Sequence, residues 1–506
     1  MPRTPEQAYE ELTTRLKQTA LLESCASVLG WDEQTYMPPA GAAHRANQLS
    51  LLAGMCHERA TSPVIGELLG EVEGALLVRD ADSPVAANVR EARRDYDRAT
   101  KLPRRLVEEL SYTATLSQQA WIEARKKSNF GDFQPWLQKM VALKREEAQA
   151  IGFGKGVPYD ALLDTFEPGM TAADVTRLFS PLREELVKLI AAISASQRRP
   201  NREIITRQYP VDAQREFSIA AARQMGFDFE AGRLDTAAHP FCSGFGPGDT
   251  RLTTRYDEHH FPGALFGTLH EAGHGIYDQG LDRAAFGVPV GSACSLGIHE
   301  SQSRMWENFV GRSKPFWDHF YPRAQTAFPE ALAGTPQNEF YRAINDVQPS
   351  FIRVEADEAT YNLHILLRFD LERPLVAGDL QPADVPGAWN ETFTKYFGIT
   401  PPDDARGCLQ DIHWSGGMIG YFPTYALGNM YAAQFFAAAS REIPDLPASF
   451  AHGEFRELKE WLNEKIHRRG RQFRAQRLVE VVTGESLSPQ PLVRHLHQKF
   501  DELYGL

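Results

Sequence analysis

Apolar side chains recur every three or four positions along most of this chain, the spacing that lines one face of an α-helix. Residues 5 to 30 carry Leu12, Leu16, Leu21 and Leu22 in that register and predict a helix ending near Gly30. Trp31-Asp32 and Met37-Pro38-Pro39 then read as a turn, and helix resumes from Ala42 to Ala60. Residues 85 to 150 are rich in Ala, Glu, Arg and Leu at the same period, with breaks at Pro103 and around Gly131. The turn Glu167-Pro168-Gly169 precedes a further helix from Ala172 to about Ser196.

The pattern changes after residue 200. The β-branched run 203 to 210 and the stretch Arg251 to Tyr256 predict short strands, and a glycine-rich loop begins at His239. Such a strand reads either as one wall of a substrate cleft, with an edge free to pair with an extended peptide, or as a plain β-ribbon. Helix returns at Pro262, where Leu265, Phe266, Leu269 and Ile276 form one apolar stripe. A second helix is predicted over 295 to 312, capped by Ser295 and turning Ile298, Met305, Phe309 and Val310 to the core. Residues 348 to 373 place Arg353, Asp357, Tyr361 and His364 three or four apart. The stretch 407 to 430 sets His413, Trp414, Tyr421, Phe422 and Tyr425 among five glycines, a composition suited to a site wall. A closing helix ends the chain.

Composition narrows the picture. Over 506 residues the chain is 42% hydrophobic and 24% charged, the balance of a soluble globular protein. Its net charge of −12 disfavours nucleic acid and anionic membrane as partners. No run of roughly 18 apolar residues predicts a spanning helix. Cys25, Cys56, Cys242, Cys294 and Cys408 are far apart, odd in number and without a CxxC pair. Together with an N-terminus that lacks an apolar leader core, they predict free thiols and a reducing cytoplasm.

The chemistry concentrates in His270-Glu271-Ala272-Gly273-His274. On a helix, residues four apart share a face, so His270 and His274 can aim two imidazoles at one metal ion. Glu271 lies one residue round, within reach of a proton on water at that ion. Gly273 and Gly275 each cost about 1 kcal/mol relative to Ala inside a helix, which points to a close approach by backbone or substrate. A zinc site that does chemistry has three protein ligands and an open position. Glu300, 26 residues beyond His274, is the favoured third ligand, with His299 and Glu307 as rivals. The alternative role for Glu300 is an i,i+4 surface pair with Arg304.

Six motifs stand in order along the chain: His239-Pro240-Phe241, Asp249-Thr250-Arg251-Leu252-Thr253, His270 to His274, His299-Glu300-Ser301-Gln302, Ile352 to Asp357, and Gly407 to Trp414. Over essentially its whole length the chain resembles the Taq-type thermostable zinc metallocarboxypeptidases. The expected organisation is a single metallocarboxypeptidase domain over residues 1–506, with two lobes around a groove. Its fold would be a mainly α, saddle-shaped body with a deep central groove and a small antiparallel sheet beside the active site. That fold is similar to thimet oligopeptidase and angiotensin-converting-enzyme relatives. The resemblance also implies a cytoplasmic homodimer that removes C-terminal amino acids from peptides with a free C-terminus. Zn²⁺ is the expected ion, with Co²⁺ or Mn²⁺ as alternatives.

On this reading His270, His274 and Glu300 bind the metal and Glu271 is the general base. Tyr421 or His413 stabilises the oxyanion. Arg353 takes the terminal carboxylate, because a guanidinium matches a carboxylate with two parallel bonds and Asp357 stands four residues on to hold it. His239 and Tyr425 are further substrate contacts. Two other readings stay open: an endo-acting zinc oligopeptidase, and a non-catalytic peptide-binding helical scaffold.

Overall fold

The computed structural model describes residues 3–506. Among them are twenty-one α-helices and three short strands, so the mainly helical prediction holds. The chain forms two compact units. One takes the chain up to Thr100, then Asn201–Ile344 and Phe435–Ser486; the other takes Lys101–Pro200, Asn345–Gln434 and Leu487–Leu506. No helix among the described residues is long and apolar enough to cross a membrane. All five cysteines are free.

Helix boundaries follow the local signals with two instructive exceptions. The first helix, Pro5–Thr35, opens on a Thr4–Gln7 capping box and runs through Gly30 and Trp31 without stopping. A single glycine in a helix is tolerated, and termination waits for Pro38 and Pro39. The run 203 to 210, predicted as a strand, begins instead with a helical turn, Glu203–Thr206. Adjacent strand residues point to opposite faces, whereas Ile204 and Ile205 are both buried.

The sheet lies in the first unit. Strand β1 is Gly232–Thr236, β2 is Cys242–Gly246 and β3 is Asp249–Thr254, in the order β1-β3-β2. The expected antiparallel sheet is in fact mixed: β2 runs antiparallel to β3, and β1 runs parallel to it. The chain makes this possible by passing round the end of β3 between β1 and β2. There the Ala237 N–H donates to Thr254 O and the Thr253 N–H to Phe241 O. The predicted strand near Arg251 is therefore the central one, and the edges belong to β1 and β2.

The helix Phe261–Gly280 carries the HExxH residues and starts with proline in its first turn. Phe261 stacks on Tyr209 with ring centroids 5.0 Å apart and meets Phe217 and Phe328 edge-on or tilted. Leu265, Phe266, Leu269 and Ile276 are buried, as the stripe predicts. The helix Leu296–Arg304 follows, capped by Ser295 Oγ accepting from Ile298 N, and continues as a π-helical turn, Met305–Gly311. The two helices touch at backbone level. A Cβ on Gly273 would lie 2.7 Å from both Gln302 O and Ser303 Cα, and one on Gly275 would meet Phe227 and Leu252.

Gly273→Ala is expected to destabilise the protein by about 1–3 kcal/mol, the cost of overpacking, despite alanine's better helix propensity. Denaturant midpoints of the two proteins check this; a stabilised variant would mean that the helices part freely.

Candidate metal centre

His270 and His274 share one face of their helix, and the next helix carries Glu300 to meet them. Glu300 Oε2 lies 3.7 Å from His270 Nε2 and 3.5 Å from His274 Nε2, and the three ligand atoms fall within 4.8 Å of one another. This is the triad expected from the sequence. Two nitrogens and one carboxylate oxygen converging on one point are the donor set of a zinc site with an open position.

Each donor is oriented by a partner behind it. His270 Nδ1 is 3.0 Å from Glu307 Oε2, and Glu307 is in turn near Arg304 and Arg312. His274 Nδ1 lies 2.5 Å from His299 Nδ1, and His299 Nε2 is 3.0 Å from Asp278 Oδ1. With the His299 Nε2–H donated to Asp278, its Nδ1 accepts the Nδ1–H of His274, and the Nε2 lone pair of His274 is left for an ion. Both rival ligands thus meet the backs of the imidazoles: His299 faces His274 Nδ1, and Glu307 faces His270 Nδ1. Glu300 does make the anticipated i,i+4 pair, with Oε1 accepting from Arg304 Nε at 2.7 Å, but this pair is buried and leaves Oε2 to the centre.

Protonation matches the donor role. Burial drives the His274 pKa down to about 4, so the imidazole is neutral. Burial opposes the charge on Glu300, yet Arg304 and His270 hold its carboxyl well below the usual range. Glu307 is likewise held down, to about 2, because Arg304 and the bond to His270 outweigh its burial. Glu271 behaves in the opposite way. Burial raises its pKa to about 7, with Glu300 and Glu307 adding repulsion against the pull of His270. Two glutamates of one site are thereby separated into a permanent anion and a group that exchanges protons near neutrality.

The second unit holds another cluster. Arg353 is 6% exposed, and its Nε and Nη2 both lie 2.9 Å from Asp411 Oδ1. Its Nη1 donates to Tyr361 Oη at 3.0 Å. Arg368, fully buried, reaches the other oxygen, with Nη2 2.5 Å from Asp411 Oδ2. Two guanidiniums thus share one carboxylate. The predicted Arg353–Asp357 pair does not form, because the helix begins only at Thr360. Asp357 instead accepts from the Ala359 and Thr360 amides at its start.

His413, Tyr421 and Tyr425 gather beside Arg353. The Arg353 guanidinium sits 5.1 Å over the Tyr425 ring, His413 Nε2 is 3.4 Å from Tyr425 Oη, and the His413 and Tyr421 rings are 5.4 Å apart. Burial lowers the His413 pKa to about 4. His239 is exposed on the link between β1 and β2, where its carbonyl lies near Thr253 Oγ1. The sequence reading gave no role to Asp278, Asp411 or Arg368. An aspartate four residues past His274, and an arginine inside the apolar run 365 to 369, were the available signals.

Helical fold and histidine–carboxylate centre together describe a metallopeptidase. Comparison with known proteins narrows the class. The family model for carboxypeptidase Taq (M32) metallopeptidases matches residues 11–500, and the chain belongs to that family. It is 48% identical to thermostable carboxypeptidase 1 of Thermus thermophilus, covering 99% of this chain and 100% of the relative. It is 38% identical to carboxypeptidase 1 of Bacillus subtilis, over 98% and 99% of the two chains. The crystal structure of the M32 carboxypeptidase from Deinococcus radiodurans R1 superposes with a TM-score of 0.95 at 41% identity, covering 99% of this chain and 100% of that one. The protein is a metallocarboxypeptidase.

Glu300→Ala is expected to lose the metal, whereas His299→Ala should keep one ion per chain at about 10- to 100-fold lower affinity, as for loss of an outer hydrogen bond. Elemental analysis and chelator competition distinguish the two; equal metal loss in both would promote His299 to a ligand.

Proposed function

We propose that this carboxypeptidase uses zinc held by His270, His274 and Glu300 and releases single amino acids, with broad specificity, from the free C-termini of peptides. The observation that carries the reading is a three-donor centre with Glu271, whose pKa is near 7, one residue along the same helix. A zinc ion in that position supplies a Lewis acid that polarises the scissile carbonyl and acidifies water. Affinity order alone does not exclude Co²⁺ or Mn²⁺.

Glu271 takes the proton of the attacking water and returns it to the leaving amine. Tyr421 offers its O–H to the developing oxyanion, with the neutral His413 beside it as the second candidate donor. Arg353 receives the terminal carboxylate. Two buried guanidiniums against the single carboxylate of Asp411 leave positive charge in that cluster, and a desolvated anion is stabilised by such a surplus. His239 and Tyr425 are assigned to further substrate contacts. The reading treats the chain as one peptidase domain and includes a cytoplasmic homodimer, which light scattering of the purified protein checks.

The pH dependence follows from Glu271, which works as a base only when ionised. Burial raises its pKa, and a neighbouring cation lowers it again. The acid limb of kcat/KM is therefore expected at or below pH ~7, with activity lost as pH falls through it. Glu271→Gln, fully metallated, should turn over at least ~10²-fold more slowly and lack that limb. Near-normal turnover would refute the assignment.

Arg353→Ala is expected to cost roughly 2–5 kcal/mol in kcat/KM on free-acid peptides and far less on the same peptides amidated. Arg353→Lys should recover only part, since an ammonium lacks the fork. A purely structural Arg353–Asp411 pair would lower thermal stability and leave the acid-to-amide preference unchanged. Efficient cutting of amidated peptides by the wild type would favour an endopeptidase.

A further inference from the structure

Glu300 turns its two oxygens to different partners. Oε2 faces His270 Nε2 and His274 Nε2, while Oε1 accepts from Arg304 Nε at 2.7 Å. Ser303 Oγ lies 3.2 Å from Oε2 but 2.7 Å from the Glu300 carbonyl, so its proton goes to the carbonyl and Oε2 keeps its lone pairs. Arg304 is itself fixed. Its Nη1 is 3.3 Å from Glu307 Oε2, the oxygen that faces His270 Nδ1 at 3.0 Å. The three side chains are 8%, 13% and 12% exposed, so little water competes for these bonds.

We propose that Arg304 locks Glu300 as a one-oxygen ligand and thereby makes the centre select ions of low coordination number. The inference rests on the ligand assignment above. Zinc is content with three protein donors and one open position. Manganese and calcium gain from more oxygen donors, and a carboxylate supplies a second one by binding through both oxygens. Here the second oxygen is committed to a charge-assisted bond in a nearly dry site, and turning it towards the ion would leave the guanidinium without that partner. Because the same guanidinium also touches Glu307, one residue positions two of the three ligands. Arg304 is a positioning residue: it acts on the centre through Glu300 and Glu307.

The test is a chelator-competition titration of the metal-stripped full chain with Zn²⁺ and with Mn²⁺, for wild type, Arg304→Met and Arg304→Lys. The expected result is that the ratio of the Mn²⁺ to the Zn²⁺ dissociation constant falls at least ~10-fold in Arg304→Met, a shift of the size that outer hydrogen bonds produce. It should fall by less in Arg304→Lys, which keeps the charge but reaches one carboxylate at a time. An unchanged ratio in a folded variant overturns the proposal. That holds if both affinities rise together, as loss of a nearby positive charge would cause, and if both fall together, as general loosening would. Should Arg304→Met fail to fold, the lysine variant alone decides. Glu300→Ala separates the two levels: undiminished zinc binding there sinks the ligand assignment itself rather than the lock.

Discussion

Two helices meet backbone to backbone at Gly273, and the geometry of the metal centre depends on that contact. His270 and His274 occupy one face of the first helix, and Glu300 can bring Oε2 within 3.5–3.7 Å of both Nε2 atoms because the second helix lies so near. Any Cβ at position 273 would strike Gln302 O and Ser303 Cα. Glycine in a helix costs about 1 kcal/mol, and the aromatic packing of Phe261 and the burial of Leu265, Leu269 and Ile276 offset it. Local helix preference is thus given up at one position to bring three donors together.

Electrostatics then divides the labour among chemically identical side chains. Glu271, Glu300 and Glu307 are all buried or nearly so, yet only Glu271 titrates near neutrality. The difference is arginine. Glu300 and Glu307 each lie within 3.5 Å of a guanidinium, whereas Glu271 has burial and two anionic neighbours acting on it. Withholding a guanidinium partner from one glutamate and supplying it to the others creates a base and two fixed anions from one residue type. In the other unit the balance is reversed, with two guanidiniums over one carboxylate.

Much of this was legible in the sequence because it is local. The HExxH spacing, the Ser295 cap and the apolar stripe all depend on residues within a turn or two of one another. Glu300 was picked over its rivals across 26 residues, but other pairings that needed longer range were misread. Arg353 and Asp357 look like a helical pair only if the helix includes them; it starts at Thr360, and the true partner, Asp411, is 58 residues away. His299 and Glu307 have ligand chemistry, but the rotation of their helix turns them to the backs of the imidazoles. The parallel pairing of β1 with β3 depends on where a five-residue link passes, and no alternation pattern encodes that.

The central claim is that two imidazoles and one carboxylate, and no third histidine or thiolate, hold the metal. X-ray absorption of the zinc-loaded protein tests it most directly. The account predicts two imidazole nitrogens and oxygen donors at about 2.0–2.2 Å, with no sulfur shell at about 2.3 Å. A fit that requires three imidazoles, placing His299 on the ion, or one that requires sulfur, would contradict it.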